Sequence, residues 1–422
     1  MMKAYVKTYG CTLNQADSRI ISSVLEKSGV ELVGSEAAAD VVVVNTCTVK
    51  SATSQKILYK LNRLSGSGKR LVVTGCMAGA NQNLIEKYAP DASIVTTPNI
   101  GSIGSVAANG SKAILNSYSR NDRLMLYEPS NSVIAMIGIS DGCLSACSFC
   151  ETKFARGRLN SFSEKLILKA IENSSNMGAK EIQLTSQDMG AYGMDRGTSI
   201  AELMGRISDM DGDFKVRVGM LNPEHLHRHF DAFADALKGS KFYKFVHIPI
   251  ESGSNGVLKD MKRSYTVEEF DNYVKELRSR IPGITIETDV IAGFPTETES
   301  RFGETLSFVK RTKPDVTNMS RFGARPHALA SKMVQNTRET INSRSNRLSR
   351  VVRSVQHELN DRFIGKKLDV IITERNDKSF NGRNESYKQI VIAKDENEMQ
   401  MGSMHNVLIN SASANVLYAT GV

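Results

Sequence analysis

Three cysteines gathered in one short loop constrain this chain more than any other feature of its sequence. Cys143, Cys147 and Cys150 stand in C-x3-C-x2-C spacing directly after the apolar run 133–139, and they are half of the six cysteines in 422 residues. Three thiolates so close together can bind three irons of a 4Fe–4S cluster and leave the fourth iron without a protein ligand. An open iron suits a cluster that must hold and cleave a small molecule. A zinc site lacking one ligand, or a disulfide with a spare thiol, is the alternative interpretation.

The other three cysteines each follow a predicted strand near the start of the chain. Residues 1–115 alternate strands at 4–9, 41–44 and 70–74 with helices at 14–28 and 51–64. The wholly apolar strand 41–44 is typical of a parallel sheet covered on both faces. Cys11, Cys47 and Cys76 follow the three strands, whose carboxyl ends meet at the edge where open α/β sheets bind ligands. The pattern predicts an open, flavodoxin-like α/β domain with a second three-cysteine cluster; three buried small side chains are the alternative.

The middle of the chain repeats this alternation on a larger scale. Strands are predicted at 133–139, 181–185, 215–219, 245–250, 284–291 and 316–321, with helical stretches between them. Six strand–helix units predict a partial (β/α)6 barrel of the TIM type, whose chemistry lies at the carboxyl ends of its strands. The cysteine triplet follows the first of these strands, which suits that geometry.

A basic surplus precedes the last segment of the chain. Residues 300–359 contain twelve Lys or Arg against four Asp or Glu, whereas residues 360–422 contain eight of each. Within this surplus, Arg344, Arg347, Arg350 and Arg353 recur every third residue and share a slowly turning stripe on one predicted helix. The stripe is either a surface for a polyanion or a solvated charged face. Short alternating strands at 368–373, 389–392, 406–411 and 415–420 then predict a small antiparallel β-barrel.

These patterns divide the chain into four predicted segments: residues 1–115, 130–330, the connector 331–359 and 360–422. No apolar run approaches the length of a membrane span, and the start of the chain reads as a strand rather than a signal peptide. We therefore expect a cytoplasmic protein with no membrane partner. Thiols stay reduced in the cytoplasm, which favours metal ligation over disulfides.

Several motifs carry a resemblance that covers the whole chain. Residues 143–150 look like the radical S-adenosylmethionine signature, and an arginine–glycine motif follows at 152–157. Further matching stretches lie at 185–193, 247–254, 257–263 and 288–295, and residues 382–387 resemble the TRAM RNA-binding domain. The chain thus resembles the radical S-adenosylmethionine methylthiotransferase family. It departs from the family pattern at Glu251, at Thr296 and in residues 325–330, where Arg-Pro-His-Ala-Leu-Ala replaces the common Arg-Pro-Gly-Thr-Pro-Ala.

The resemblance implies two 4Fe–4S clusters and two equivalents of S-adenosylmethionine. Cys11, Cys47 and Cys76 would hold an auxiliary cluster, at which one equivalent methylates a bound sulfur. Cys143, Cys147 and Cys150 would hold the cluster that splits the second equivalent to a 5′-deoxyadenosyl radical. An electron donor and a sulfur source are implied as well. The expected cofactor contacts are Phe149, Ser186, Gln187 and Asp188, with core packing and helix capping as the alternatives.

The family acts on three substrates: isopentenyladenosine in tRNA, N6-threonylcarbamoyladenosine (t6A) in tRNA, and an aspartate of a ribosomal protein. Residues 142–147, 152–157, 184–188 and 219–223 are most similar to the archaeal and eukaryotic branch that acts on t6A. We therefore predict a tRNA methylthiotransferase that modifies C2 of t6A next to the anticodon. The predicted tRNA contacts are Arg344, Arg347, Arg350 and Arg353 of the connector, with Arg375, Arg383 and Lys388 of the small barrel. A zinc-stabilised RNA-binding protein is the non-enzymatic alternative.

Overall fold

The computed structural model describes residues 1–49, 51–117, 122–394 and 399–421. In chain order it shows an open parallel sheet, a barrel of parallel strands, one long helix and a small closed β-barrel. The predicted fold class is therefore confirmed. No helix within the described ranges is long and apolar enough to span a membrane.

The first sheet is parallel throughout and has the flavodoxin-like strand order β2-β1-β3-β4-β5-β6. Its strands are β1 (Lys3–Thr8), β2 (Glu31–Leu32), β3 (Val41–Thr46), β4 (Arg70–Gly75), β5 (Ser93–Val95) and β6 (Ile114–Leu115), and its helices are α1 (Thr12–Lys27), α2 (Ser51–Ser65), α3 (Cys76–Ala80), α4 (Gln82–Tyr88) and α5 (Ile103–Asn109). Strand β3 shows why the sheet is covered on both faces. Val41 and Val43 pack into the core beside α1 and α5, while Val42 and Val44 pack into the core on the other face.

The strands of the larger barrel are parallel. They are β7 (Ile134–Gly138), β10 (Glu181–Thr185), β11 (Lys215–Val218), β12 (Phe245–His247), β13 (Thr285–Ala292) and β14 (Val316–Arg321). Isolated bridges at Val216–Phe242 and Met220–His247 join β11 to β12. The two-residue strands β8 (Ser140–Asp141) and β9 (Asn160–Ser161) pair across the cysteine loop. The helices are α6 (Thr152–Arg156), α7 (Glu164–Asn176), α8 (Ile200–Ser208), α9 (Pro223–Leu226), α10 (Phe230–Ala236), α11 (Asn255–Asp260), α12 (Val267–Arg280) and α13 (Glu299–Thr312).

The connector is the helix α14 (Arg338–Asp361), which runs along the side of the barrel. Near its start, Arg344 reaches Glu297 in the loop that follows β13. Near its end, Gln356 accepts from the backbone of Thr317 at the beginning of β14. The helix has 24 residues and is therefore about 36 Å long. It links the carboxyl end of the barrel strands to their amino end.

The last 55 residues or so form a closed barrel in the order β15-β16-β17-β19-β18. Its strands are β15 (Lys367–Arg375), β16 (Ser379–Arg383), β17 (Gln389–Ala393), β18 (Met404–Ala412) and β19 (Leu417–Gly421). The sequence pattern predicts no strand at 379–383, where Asn381 and Gly382 are residues typical of turns. A side chain at Gly382 would lie 2.4 Å from Val370 of β15, so the strand pair requires glycine there.

The small barrel docks on the amino ends of the parallel strands β7 and β10–β14 of the larger barrel. Tyr387 donates to Glu181 at the start of β10 (2.8 Å), and Ser386 donates to the carbonyl of Gly283 just before β13 (2.7 Å). Tyr387 also packs against Tyr243 and Phe245. The small barrel therefore lies at the end of the larger barrel opposite to the cysteine loop.

Candidate functional site

The cysteine triplet lies in the loop between β8 and α6, at the carboxyl end of β7. Cys143, Cys147 and Cys150 are half-buried and free of disulfides. Gly142 begins the loop with φ +73°, and a side chain there would collide with the carbonyl oxygen of Arg158. The backbone of Ser148 is held on both sides: its N–H donates to Met261 (3.0 Å) and its carbonyl accepts from Ala330 (2.8 Å). The barrel thus fixes the loop from two separate segments.

An arginine approaches the triplet from the loop after α11. Arg263 Nη1 donates to Cys147 Sγ (3.1 Å), and its Nη2 lies 3.3 Å from Glu251. Burial raises the pKa of Cys147 to about 12, against the lowering influence of Arg263. Burial likewise raises the pKa of Glu251 to about 7. Glu251, where the chain departs from the family pattern, is therefore an acidic partner of Arg263, which contacts Cys147.

The second trio occupies the carboxyl edge of the first sheet. Cys11 follows β1, Cys47 follows β3 and Cys76 opens α3. Cys47 and Cys76 are buried whereas Cys11 is exposed. Burial raises the pKa of Cys76 to about 11; nearby Arg156 opposes this rise, and Cys11 and Cys47 add to it. The three thiols therefore share one neighbourhood, and each must lose its proton to bind metal.

Arg156 joins the two trios. It belongs to α6, which follows Cys150, and its side chain is fully buried. Its Nε donates to Cys76 Sγ (3.4 Å), and its Nη2 donates to Asn14 of α1 (2.7 Å). In the sequence this arginine stands out only as part of the arginine–glycine motif at 152–157, and no local pattern indicates its contact with the other trio.

A four-residue ionic network surrounds this contact. Arg156 lies 2.7 Å from Asp17 and 3.2 Å from Asp141, and Arg123 lies 2.6 Å from Asp17 and also pairs with Asp141. Asp17 is on α1, and Asp141 precedes the triplet by two residues. Two arginines balance two carboxylates, so the buried network is formally neutral. It ties the first sheet to the cysteine loop of the barrel.

Helices α3 and α6 also touch directly. A side chain at Gly79 of α3 would lie 2.4 Å from the carbonyl oxygen of Ala155 in α6, so the helices approach at backbone distance. Beside this contact, Asn81 Nδ2 donates to the buried carboxylate of Glu151 (2.9 Å). The residues after Cys76 and after Cys150 are therefore in contact.

The expected cofactor contacts at the end of β10 divide into two kinds. The Oε1 atom of Gln187 is enclosed and has no hydrogen-bond partner among the described residues, and Ser186 is half-buried. Asp188 is only 1% exposed; its carboxylate accepts from the backbone of Gly190 and Asn222 and pairs with His225 at 2.5 Å. Asp188 thus caps the short helix that begins at Met189, which is the alternative that the sequence left open, and its contact with a cofactor stays a prediction.

Phe149 is half-buried and packs against an apolar group formed by Val257, Met261, Phe294 and Ala330. This is the core packing that the sequence left open as an alternative. The contact of Phe149 with a bound cofactor stays a prediction.

The predicted tRNA contacts also divide, and two of them, Arg344 and Lys388, are buried inside the protein. Arg344 is buried, donates to the carbonyl of Glu297 (2.6 Å) and pairs with its carboxylate (3.2 Å). Lys388 is buried between the two barrels and bonds Asp315 and Asn360. Neither cation reaches a surface on which a phosphate could bind.

The remaining cations lie in different settings. Arg350 and Arg353 are exposed on α14, and Arg347 is partly exposed beside Glu299. In the small barrel, Arg375 is exposed near Phe380, whereas half-buried Arg383 stacks on Tyr387 at the domain contact. The stripe predicted from the sequence is therefore accessible only along its later part.

The donor sets suit iron–sulfur ligation. Soft thiolates are the ligands that iron–sulfur clusters prefer, and each trio offers three of them. Within the described ranges, no three His, Cys, Asp or Glu side chains converge tightly enough to hold a single metal ion. Cluster cysteines bind different irons, so they need not converge on one point.

Comparisons with known proteins agree with this site. Residues 3–97 match Uncharacterized protein family UPF0004, and residues 137–309 match the Radical SAM superfamily. Among solved structures, the radical S-adenosylmethionine methyltransferase TsrM from Kitasatospora setae, with cobalamin and a [4Fe-4S] cluster bound, is similar with a TM-score of 0.58. It is 15% identical, and the match covers 78% of this chain and 77% of that one. The fold and the site together define a radical S-adenosylmethionine enzyme.

Curated relatives extend the match to the full chain. A probable threonylcarbamoyladenosine tRNA methylthiotransferase from Pyrococcus horikoshii is 36% identical over 99% of both chains. The Archaeoglobus fulgidus relative of the same name is 40% identical over 92% of this chain and 93% of its own. A Drosophila melanogaster relative is 34% identical over 97% of this chain and 76% of its own. The chain belongs to the threonylcarbamoyladenosine tRNA methylthiotransferase family.

It is therefore a radical S-adenosylmethionine methylthiotransferase, and its superfamily implies a 4Fe–4S cluster and S-adenosylmethionine. The interpretation as a zinc-stabilised, non-enzymatic RNA-binding protein is wrong.

Proposed function

We propose that this chain attaches a methylthio group to C2 of t6A next to the anticodon of tRNA, in the cytoplasm. The observation that carries the proposal is the contact between two cysteine trios, made through Arg156 and through the approach of α3 to α6. A single cluster would require only the triplet on the barrel. A second trio held against it suits a reaction that also needs a sulfur carrier. The names of the relatives supply the substrate.

Each trio would hold one 4Fe–4S cluster: Cys143, Cys147 and Cys150 in the barrel, and Cys11, Cys47 and Cys76 in the first sheet. When bound, the clusters supply the electron that cleaves S-adenosylmethionine and the site that carries the sulfur. Arg263 and Arg156 each direct an N–H at a cysteine sulfur, which stabilises thiolate charge. Phe149, Ser186 and Gln187 are the proposed cofactor contacts, and the unpaired Oε1 of Gln187 supports an N–H donor on the ligand.

The domain boundaries fit this division of labour. Residues 1–115 would carry the auxiliary cluster, residues 130–330 the radical chemistry, and residues 360–422 part of the RNA surface. Helix α14 runs from the carboxyl end of the larger barrel to the small barrel. Its exposed Arg350 and Arg353 would therefore bind phosphates of an RNA that extends from one barrel to the other. Arg347 and Arg375 would extend that surface.

Iron analysis tests the two-cluster arrangement. Anaerobically reconstituted protein is expected to bind about eight irons, and the triple variant C11A/C47A/C76A about four, since each 4Fe–4S cluster needs its own thiolates. The variant C143A/C147A/C150A is the matched control and should also keep about four. An unaltered protein that binds only about four irons would contradict the auxiliary cluster.

Nucleoside analysis tests the substrate. In tRNA from cells that lack this protein, the 2-methylthio form of t6A is expected to disappear while t6A itself rises. A C143A variant should fail to restore it, whereas the unaltered protein should restore it. Loss of the methylthio form of isopentenyladenosine would assign that substrate instead. Unchanged methylthio nucleosides would exclude a tRNA substrate and leave the ribosomal protein.

A further inference from the structure

An exposed aromatic pair lies on the rim between the two cysteine trios. Phe154 of α6 is 59% exposed, although large aromatic side chains usually bury most of their surface. Its ring centroid is 5.2 Å from that of His327, with 34° between the ring planes. The His327 side chain is 44% exposed. Both rings therefore remain open to a partner.

Contacts to the loops of both cysteine trios fix the position of this pair. His327 Nε2 lies 4.0 Å from the carboxylate of Glu151, which follows Cys150 and accepts from Asn81 of the first domain. Two residues before His327, Arg325 donates to the carbonyl of Val49. The N–H of Val49 in turn points at Cys47 Sγ (3.4 Å). The rim is thus attached to the loops of both trios.

The charge around the rings is positive at the surface. Lys153, next to Phe154, extends to the carbonyls of Leu144 and Ser145 in the cysteine loop (both 3.3 Å). Arg325, two residues before His327, is half-buried and within electrostatic range of Glu151, Cys47 and Cys150. The nearby carboxylate of Glu151 is only 4% exposed, so Lys153 and Arg325, which are partly exposed, are the charges that a partner at this rim can contact. Open rings flanked by cations suit a partner that has flat aromatic faces and phosphates.

We propose that Phe154 and His327 form a stacking platform for an unpaired nucleobase of the RNA substrate, next to the adenosine that is modified. Single-stranded RNA loops are recognised by stacking of their unpaired bases on Phe, Tyr, Trp or His. Among the three substrate classes of the family, only an RNA loop brings such a base together with phosphates. This inference rests on the proposed function and adds to it the element that holds the loop at the site.

Binding to a synthetic tRNA anticodon stem–loop tests the platform. Fluorescence anisotropy with the anaerobically reconstituted full chain should show binding about tenfold weaker for Phe154→Ala and for Phe154→Leu, as expected for loss of one stacked base. Phe154→Tyr keeps the ring and should bind within about twofold of the unaltered protein. Because residue 154 is largely exposed, all three variants should keep the thermal midpoint and the iron content of the parent.

A scan of the RNA locates the partner base. Removing one loop base at a time should reveal a single position whose loss weakens binding about tenfold in the parent but has little further effect in Phe154→Ala. Parent-like binding by Phe154→Leu would overturn the platform, as would additive losses at every loop position. If the unaltered protein fails to bind the stem–loop and the nucleoside analysis is also negative, the proposed function falls with it. Stem–loop binding that is indifferent to Phe154 would overturn the platform alone.

Discussion

Replacing Arg156 by methionine is expected to lower the free energy of unfolding by about 3–5 kcal/mol, the usual effect of removing one partner from a buried ionic network. The side chain is fully enclosed and pairs with Asp17 and Asp141. Without it, Arg123 is left to balance two buried carboxylates. Denaturant unfolding of the apoprotein, followed by fluorescence and circular dichroism, measures the loss.

The exposed Arg206 provides the matched control for this substitution. Its side chain is 67% exposed and lies 3.7 Å from Glu164, so Arg206→Met should change stability by about 0.5 kcal/mol or less. Arg156→Lys should give an intermediate loss, because lysine keeps the charge but not the planar fork. Equal stability of Arg156→Met and the parent would contradict the role assigned to the network.

A second readout separates the sulfur contact from general stability. Arg156 Nε points at Cys76 Sγ, and hydrogen bonds to cluster sulfurs help to set reduction potentials. In Arg156→Met the auxiliary cluster should therefore become harder to reduce, whereas Arg206→Met should leave its potential unchanged. Redox titration followed by electron paramagnetic resonance measures both.

The parts of the fold that the sequence predicted are those encoded by local patterns. Val41 to Val44 predicted a strand buried on both faces, and both faces are covered. The positions of the cysteines after β1, β3, β4 and β7 were also predictable, because parallel strands end at a common edge.

The parts that the sequence could not supply depend on contacts between distant residues. The three-residue spacing of arginines on α14 predicts a slowly turning stripe, yet spacing does not say which part of a stripe faces the protein. Arg344 meets Glu297, far from it in sequence, and Lys388 meets Asp315 across a domain contact. The location of the small barrel at the amino ends of the catalytic strands likewise has no local signal.

Substituting Gly79 by alanine is expected to reduce the rate of methylthio transfer about a hundredfold, the effect of displacing reacting groups by about 1 Å. The new methyl group would lie 2.4 Å from the carbonyl oxygen of Ala155, and neither atom belongs to a flexible side chain. Helices α3 and α6 must therefore separate. This moves Cys76 relative to the loop that ends at Cys150.

The Gly79→Ala variant should uncouple the cleavage of S-adenosylmethionine from the transfer of the methylthio group. Each trio keeps its own cysteines, so Gly79→Ala should still bind about eight irons and still cleave S-adenosylmethionine under reductant. The methylthio product formed per cofactor cleaved should fall sharply, which chromatography of both products measures. Gly205→Ala is the control: Gly205 lies in α8, and beyond its chain neighbours and its own helix backbone no atom lies within 4 Å of the added methyl group. That variant should keep full coupling and gain about 0.5–1 kcal/mol of stability. Unchanged coupling in Gly79→Ala would show that the approach of α3 to α6 does not set the geometry of transfer.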